Sequence, residues 1–201
     1  MSYASPIWRQ AGEHRRMPWK NGQGETLEVA RSPDGQSLDA FDWRVSVAPV
    51  IADGAFSLFP AIERTIAVVE GDGMDLALAD GRQHRLRPGI PFTYDGGMAV
   101  HGRLIRGPVR DFNVMSRRGK FTGDLVLSDG PLAWSGGMAT IVAYALLGAW
   151  MVTVGDTDGR LETGSSLTAT ANTLRLSPVA AGSRVAIAVL RRYPDLTPPE
   201  Q

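Results

Sequence analysis

The sequence contains no cysteine, so disulfides, thiolate catalysis and cysteine-ligated zinc are excluded. It also lacks net charge. Its 21 basic side chains balance 21 acidic ones over 201 residues, which leaves no overall field to hold a phosphate backbone or an anionic bilayer. Neither nucleic acid nor a membrane is an expected partner. Histidine is scarce: His14, His84 and His101 form no i, i+2 or i, i+4 pair, so no metal site is expected. Nucleotide cradles are unsupported, because no Gly-Lys-Ser/Thr occurs and Gly22-Gln23-Gly24 and Gly71-Asp72-Gly73 lack the correctly placed third glycine. No Gly-x-Ser-x-Gly nucleophile elbow is present either. Asp156-Thr157-Asp158-Gly159 begins like a calcium loop, but Arg160 and Leu167 stand where carboxylate ligands belong, so the segment reads as a hairpin turn. Residues 1–30 carry Arg9, Glu13, Arg15, Arg16 and Lys20 with no apolar signal core, which makes the cytoplasm the expected compartment.

What is present is strand. With 43% hydrophobic residues the chain can bury a sizeable core. Short β-branched and aromatic runs, such as residues 26–30, 43–48, 64–70, 74–79 and 110–115, are separated by turn clusters rich in Gly, Asp and Pro. That punctuation predicts an all-β sandwich or barrel with a few short helices, residues 56–62 and 128–137 being the places for them. Residues 138–154, MATIVAYALLGAWMVTV, approach the length of a membrane span. Their β-branched content and the interruption at Gly148 predict two buried strands instead.

A weak internal repeat runs through the chain. Val68-Val69-Glu70-Gly71, Met74 to Leu78, Asp80-Gly81-Arg82 and Leu86-Arg87-Pro88-Gly89 parallel Ala145-Leu146-Leu147-Gly148, Met151 to Val154, Asp158-Gly159-Arg160 and Leu161-Glu162-Thr163-Gly164, at an offset of about 75 to 78 positions. One supersecondary unit used twice predicts a duplicated barrel, with an N-terminal lobe over residues 1–137 holding the pocket and a C-terminal lobe over 138–201. No Pro/Ser-rich linker divides the two, so they are expected to form one unit.

Three polar clusters can carry chemistry. Met17-Pro18-Trp19-Lys20-Asn21-Gly22 leads into Thr26-Leu27-Glu28-Val29, where alternation puts Thr26 and Glu28 on one face and the apolar pair on the other. Phe59-Pro60 leads to Arg64-Thr65, and Asp111-Phe112-Asn113-Val114-Met115 places Asp111 and Asn113 on one face. Arg44, between Trp43 and Val45 in a strand, adds a second guanidinium able to point into a barrel. The same alternation also allows these groups to face water or to pair only with one another.

These clusters, together with Glu70-Gly71-Asp72-Gly73-Met74 and Arg117-Arg118-Gly119, resemble the HutD/Ves family over roughly residues 3–192. The sequence departs from the family at Gln23, where a third glycine is usual. The resemblance implies a double cupin without a histidine-based metal centre, and an association with histidine utilisation or stress response. The candidate ligand-binding residues are Trp19, Lys20, Asn21, Thr26, Glu28, Arg44, Arg64, Asp111 and Asn113. The expected occupant is a small carboxylate, with no cofactor. Two other readings stay open. One is a cofactor-independent isomerase or hydrolase of a small acid, with Glu28 or Asp111 as general base beside Arg44 or Arg64. The other is an interaction module whose paired barrels form a homodimer surface.

Overall fold

The structure, a computed structural model, describes residues 5–18, 24–35 and 40–193. Among them are seventeen strands: β1 (Ile7–Arg9), β2 (Arg15–Pro18), β3 (Glu25–Ser32), β4 (Trp43–Val50), β5 (Gly54–Ala55), β6 (Ile62–Glu70), β7 (Met74–Leu78), β8 (Gln83–Leu86), β9 (Phe92–Asp95), β10 (Val100–Leu104) and β11 (Val109–Arg117), then β12 (Phe121–Ser128), β13 (Leu132–Leu147), β14 (Trp150–Val154), β15 (Thr157–Leu161), β16 (Ser166–Pro178) and β17 (Arg184–Arg192). No helix occurs among the described residues. At residues 56–62 a helix is blocked by Pro60 and by Ala61 at φ 62°, and residues 128–137 turn at Ser128 and then pair with β16.

The N-terminal lobe packs a six-stranded sheet, ordered β2-β3-β4-β11-β6-β9, against a four-stranded one, β5-β10-β7-β8. The C-terminal lobe is one seven-stranded sheet, β12-β17-β13-β16-β14-β15 with β1 added to β16, curled around its own core. The pairings of the two lobes correspond. β17 lies between β12 and β13 as β11 lies between β4 and β6. β16 pairs first with β13 and then with β14, spanning in one strand what β9 and β10 do separately with β6 and β7. Gly71 and Gly148, at φ 93° and 73°, close the equivalent bends before β7 and β14. This correspondence is consistent with the repeat.

Two expectations shift. The sheets do not divide at residue 137, because β12 and all of β13 belong to the C-terminal sheet, and so does β1. Nor is Asp158-Gly159 the hairpin turn: the chain reverses at Gly155-Asp156, and both residues lie in β15. Gly159 is required there because the ring of Trp8 fills the space of a side chain, and a Cβ at Gly159 would stand 2.2 Å from it. β1 thus straps residues 7–9 onto the second lobe. Its anchor is reinforced by His14, whose ring meets Tyr144 edge-on and whose Nε2 lies 2.8 Å from Ser166 Oγ. Burial pushes the His14 imidazole below its ordinary pKa.

The lobes share a core. Val45, Val47, Phe112 and Val114 from the six-stranded sheet meet Val142, Tyr144, Ala186 and Ala188 from the other. On β13 the alternate residues Ile141, Ala143 and Ala145 face the C-terminal interior instead. A strand buried on both faces reads as a continuous apolar run, which accounts for the membrane-like composition of residues 138–154. They form the end of β13 and β14, bent at Gly148. Among the described residues no helix is long and apolar enough to cross a membrane.

Candidate polar site in the N-terminal barrel

The interiors of the two lobes differ in kind. The C-terminal core is apolar, built on Trp150, Ile141, Leu167, Leu174 and Ile187. In the N-terminal lobe the inward face of the six-stranded sheet carries Glu28, Arg31, Arg44, Arg64, Asp111 and Asn113, all buried. Alternation puts them there. Leu27, Val29, Trp43, Val45, Phe112 and Val114 point into the shared core, and their polar neighbours point the other way. Ile66, Val68, Met74 and Leu86 pack beside the polar cluster, and Phe41, Ile62 and Met115 form a separate small cluster. Burying so many charged groups destabilises a fold unless each is paired and hydrogen-bonded.

The pairing is uneven. Arg44 Nε donates to Glu28 Oε2 at 2.9 Å, and Arg31 Nη1 lies 3.7 Å from the same oxygen. Arg44 Nη2 also reaches Met17 Sδ at 3.7 Å. Arg64 Nε donates to Asn113 Oδ1 at 2.9 Å, while Asn113 Nδ2 donates to Asp111 Oδ1 at 2.8 Å. The carboxylate of Asp111 is 4.0 Å from Arg64 Nη2, at the limit of an ion pair. The Arg64 guanidinium is flanked instead by rings, 4.7 Å from the centre of Phe56 and 5.7 Å from that of Tyr94.

Burial pushes the Asp111 carboxyl above its ordinary pKa, opposed by Arg64 and by the hydrogen bond from Asn113. A carboxyl whose folded pKa is raised binds more protons in the native state than in the unfolded one. Its stabilising contribution is full below the ordinary aspartate range and is lost as pH rises through the folded value. Asp111→Asn removes that dependence. Urea unfolding is expected to show wild-type stability falling relative to the variant as pH rises above the ordinary aspartate range. Wild-type stability that rises relative to the variant over that range refutes the assignment.

Of the residues selected from sequence, Glu28, Arg44, Arg64, Asp111 and Asn113 come together on this face. Thr26 is half-buried on β3, opposite Met17. Trp19, Lys20 and Asn21 lie outside the described residues. Sequence reasoning missed Arg31, Phe56 and Tyr94. Arg31 is three positions from Glu28 and belongs on the opposite face of a regular strand, but a bulge between Glu28 and Ala30 returns it to the same face. Tyr94 sits directly across from Arg64 in the β6–β9 register, a pairing visible only once that register is known.

Open grooves occur elsewhere. One of about 570 Å³ lies over the four-stranded sheet beside Asp75, Gln83, Arg85, His101 and Arg103, and one of about 360 Å³ lies over Trp134, Thr153, Thr173 and Arg175. Both lie on strands that correspond between the lobes, β7 and β10 in one and β14 and β16 in the other, yet their linings differ. We attribute them to the coil of the sheets rather than to ligand chemistry. His84 stacks on Phe92 at 3.7 Å and His101 is exposed. Among the described residues no three His, Asp or Glu side chains come close enough to hold a metal ion. The inward face presents guanidiniums, which repel a cation, so it does not fit the metal centre that many cupins carry.

Comparison with known proteins accords with this architecture. The chain is 38% identical over 137 residues to an uncharacterised 21.2 kDa protein in the hutC 3′ region of Pseudomonas putida, covering 68% of this chain and 71% of that one. It is 34% identical over 142 residues to protein Ves of Citrobacter koseri, covering 69% and 73%. The solved structure of HutD from Pseudomonas fluorescens SBW25 superposes with a TM-score of 0.78 at 29% identity, over 94% of this chain and 100% of the other. Oxalate decarboxylase of Lactobacillus farciminis shares the fold alone, with a TM-score of 0.65 at 8% identity over 94% of this chain and 87% of the other. The HutD family model matches residues 11–187, which takes in both lobes and the whole polar face, and the chain belongs to the HutD family.

Proposed function

We propose that the N-terminal barrel binds a small carboxylate against Arg64, and that the protein serves histidine utilisation or its regulation as a metal-free binding protein. The observation that carries this reading is the unequal neutralisation of the two guanidiniums. Arg44 is met by Glu28 at 2.9 Å, whereas Arg64 has a neutral amide at 2.9 Å and its carboxylate only at 4.0 Å. An anion entering beside Arg64 gains the attraction that Asp111 leaves unused, in a site where low polarity strengthens it. The relatives add support: one lies in a hutC region, and the HutD structure from Pseudomonas fluorescens was determined in a formate condition.

Calorimetry with formate, urocanate, formylglutamate and formiminoglutamate tests the reading. Wild type is expected to bind at least one of them, and Arg64→Ala to lose that affinity by about thirtyfold or more, the size expected when a buried charged partner is deleted. Wild type that binds none of the four, or a folded variant that binds as well, ends the proposal. A catalytic reading has one feature in its favour, the buried Asp111 with its raised pKa beside Arg64. Consumption of any of these acids by wild type and not by Asp111→Asn is its test.

A further inference from the structure

Tyr94 has no role in the pairings described above, and its environment is unusual for a phenol. The residue is 6% exposed, and its hydroxyl makes no hydrogen bond to any of the described residues. Buried tyrosine hydroxyls ordinarily find a partner, because stripping one of water without replacement destabilises the fold. The ring is fixed directly across the β6–β9 ladder from Arg64, and the guanidinium lies between it and Phe56. Arg64 and Asp111 are the charges that act on the hydroxyl, so it lies beside the least neutralised part of the cluster.

We infer that the Tyr94 hydroxyl is a second donor to the carboxylate held by Arg64. The inference rests on the anion-binding reading above. Arg64 offers a planar fork that matches a carboxylate, and Tyr94 offers one neutral O–H. A phenol in this position adds a hydrogen bond without adding charge. Arg64 therefore supplies attraction, while Tyr94 supplies a directed hydrogen bond.

The test is Tyr94→Phe, with Arg64→Ala as reference and formate and acetate as probes. The hydroxyl has no internal partner to lose, so Tyr94→Phe is expected to melt at the wild-type temperature or above it. Its affinity for formate and acetate is expected to fall about tenfold or more, the range for a hydrogen bond to a charged group. Formate should perturb the tyrosine absorption of wild type and leave that of the variant unchanged. Wild type that binds neither formate nor acetate removes both this inference and the reading beneath it. If Arg64→Ala loses affinity while Tyr94→Phe keeps it, the anion site stands and the role of Tyr94 is refuted. A Tyr94→Phe variant that is clearly less stable than wild type also overturns the inference, because the hydroxyl then has a partner within the fold.

Discussion

Replacing Glu28 with alanine is expected to cost about 3–5 kcal/mol of folding stability, the range found when one partner of a buried ion pair is removed. The carboxylate serves two guanidiniums, Arg44 at 2.9 Å and Arg31 at 3.7 Å, whose side chains are 5% and 2% exposed. Neither can turn out to water without unpacking the sheet around it. Arg31 leans on Phe41, and Arg44 stands in β4 between Trp43 and Val45, both in the shared core. The variant thus leaves the buried Arg44 guanidinium without the carboxylate that meets it at 2.9 Å. A hydrophobic double replacement, Glu28→Leu with Arg44→Met, is expected to recover much of the loss, because removing a buried pair whole also removes its desolvation penalty. Urea denaturation followed by circular dichroism measures both. A loss below about 1 kcal/mol for Glu28→Ala would place the cluster in solvent and contradict the burial on which the site rests.

Glu28 also shows how far the site was legible in the sequence. Period-2 alternation is a local property, so Thr26 with Glu28, and Asp111 with Asn113, read as pairs on common faces, but alternation leaves open whether Arg44 and Arg64 face water or the interior, where the structure buries both. What alternation cannot supply is a break in itself. The bulge after Glu28 turns Arg31 inward, and no residue type in Glu28-Val29-Ala30-Arg31 announces it. Long-range register was equally hidden. The pairing of Tyr94 with Arg64 joins β9 to β6, and that of Trp8 with Leu167 joins the first strand to the second lobe. The three residues of β1 show too little pattern to mark a strand, and only the missing side chain at Gly159, where Trp8 lies, explains the position. The onset of uniformly apolar composition at residue 138 marks burial on both faces of one strand, β13, rather than a change of sheet.

Phe112→Ala is expected to cost about 3–5 kcal/mol and to lower the stability of both lobes together. Phe112 is fully buried at the middle of β11, with Val47 of β4 and Ala67 of β6 as its register partners. Its ring faces away from the polar site and meets Tyr144 of the second lobe, the centroids 6.1 Å apart and tilted by 45°. Truncation therefore opens a void lined by both sheets, and the close-packed strands on either side limit how far it can collapse. The same geometry argues against independent lobes. Separating them would expose Val45, Val47, Phe112 and Val114 on one side and Val142, Tyr144, Ala186 and Ala188 on the other, an apolar surface that neither sheet carries alone without aggregating. Tryptophan fluorescence reports from both halves, since Trp43 lies in the shared core and Trp150 in the C-terminal one. Fluorescence and far-ultraviolet circular dichroism are expected to trace a single urea transition in wild type and a single, earlier one in Phe112→Ala, with the same slope. Two resolved transitions in either protein would show that the lobes unfold separately. In that case the shared core does not couple the polar site of one barrel to the strap and apolar core of the other.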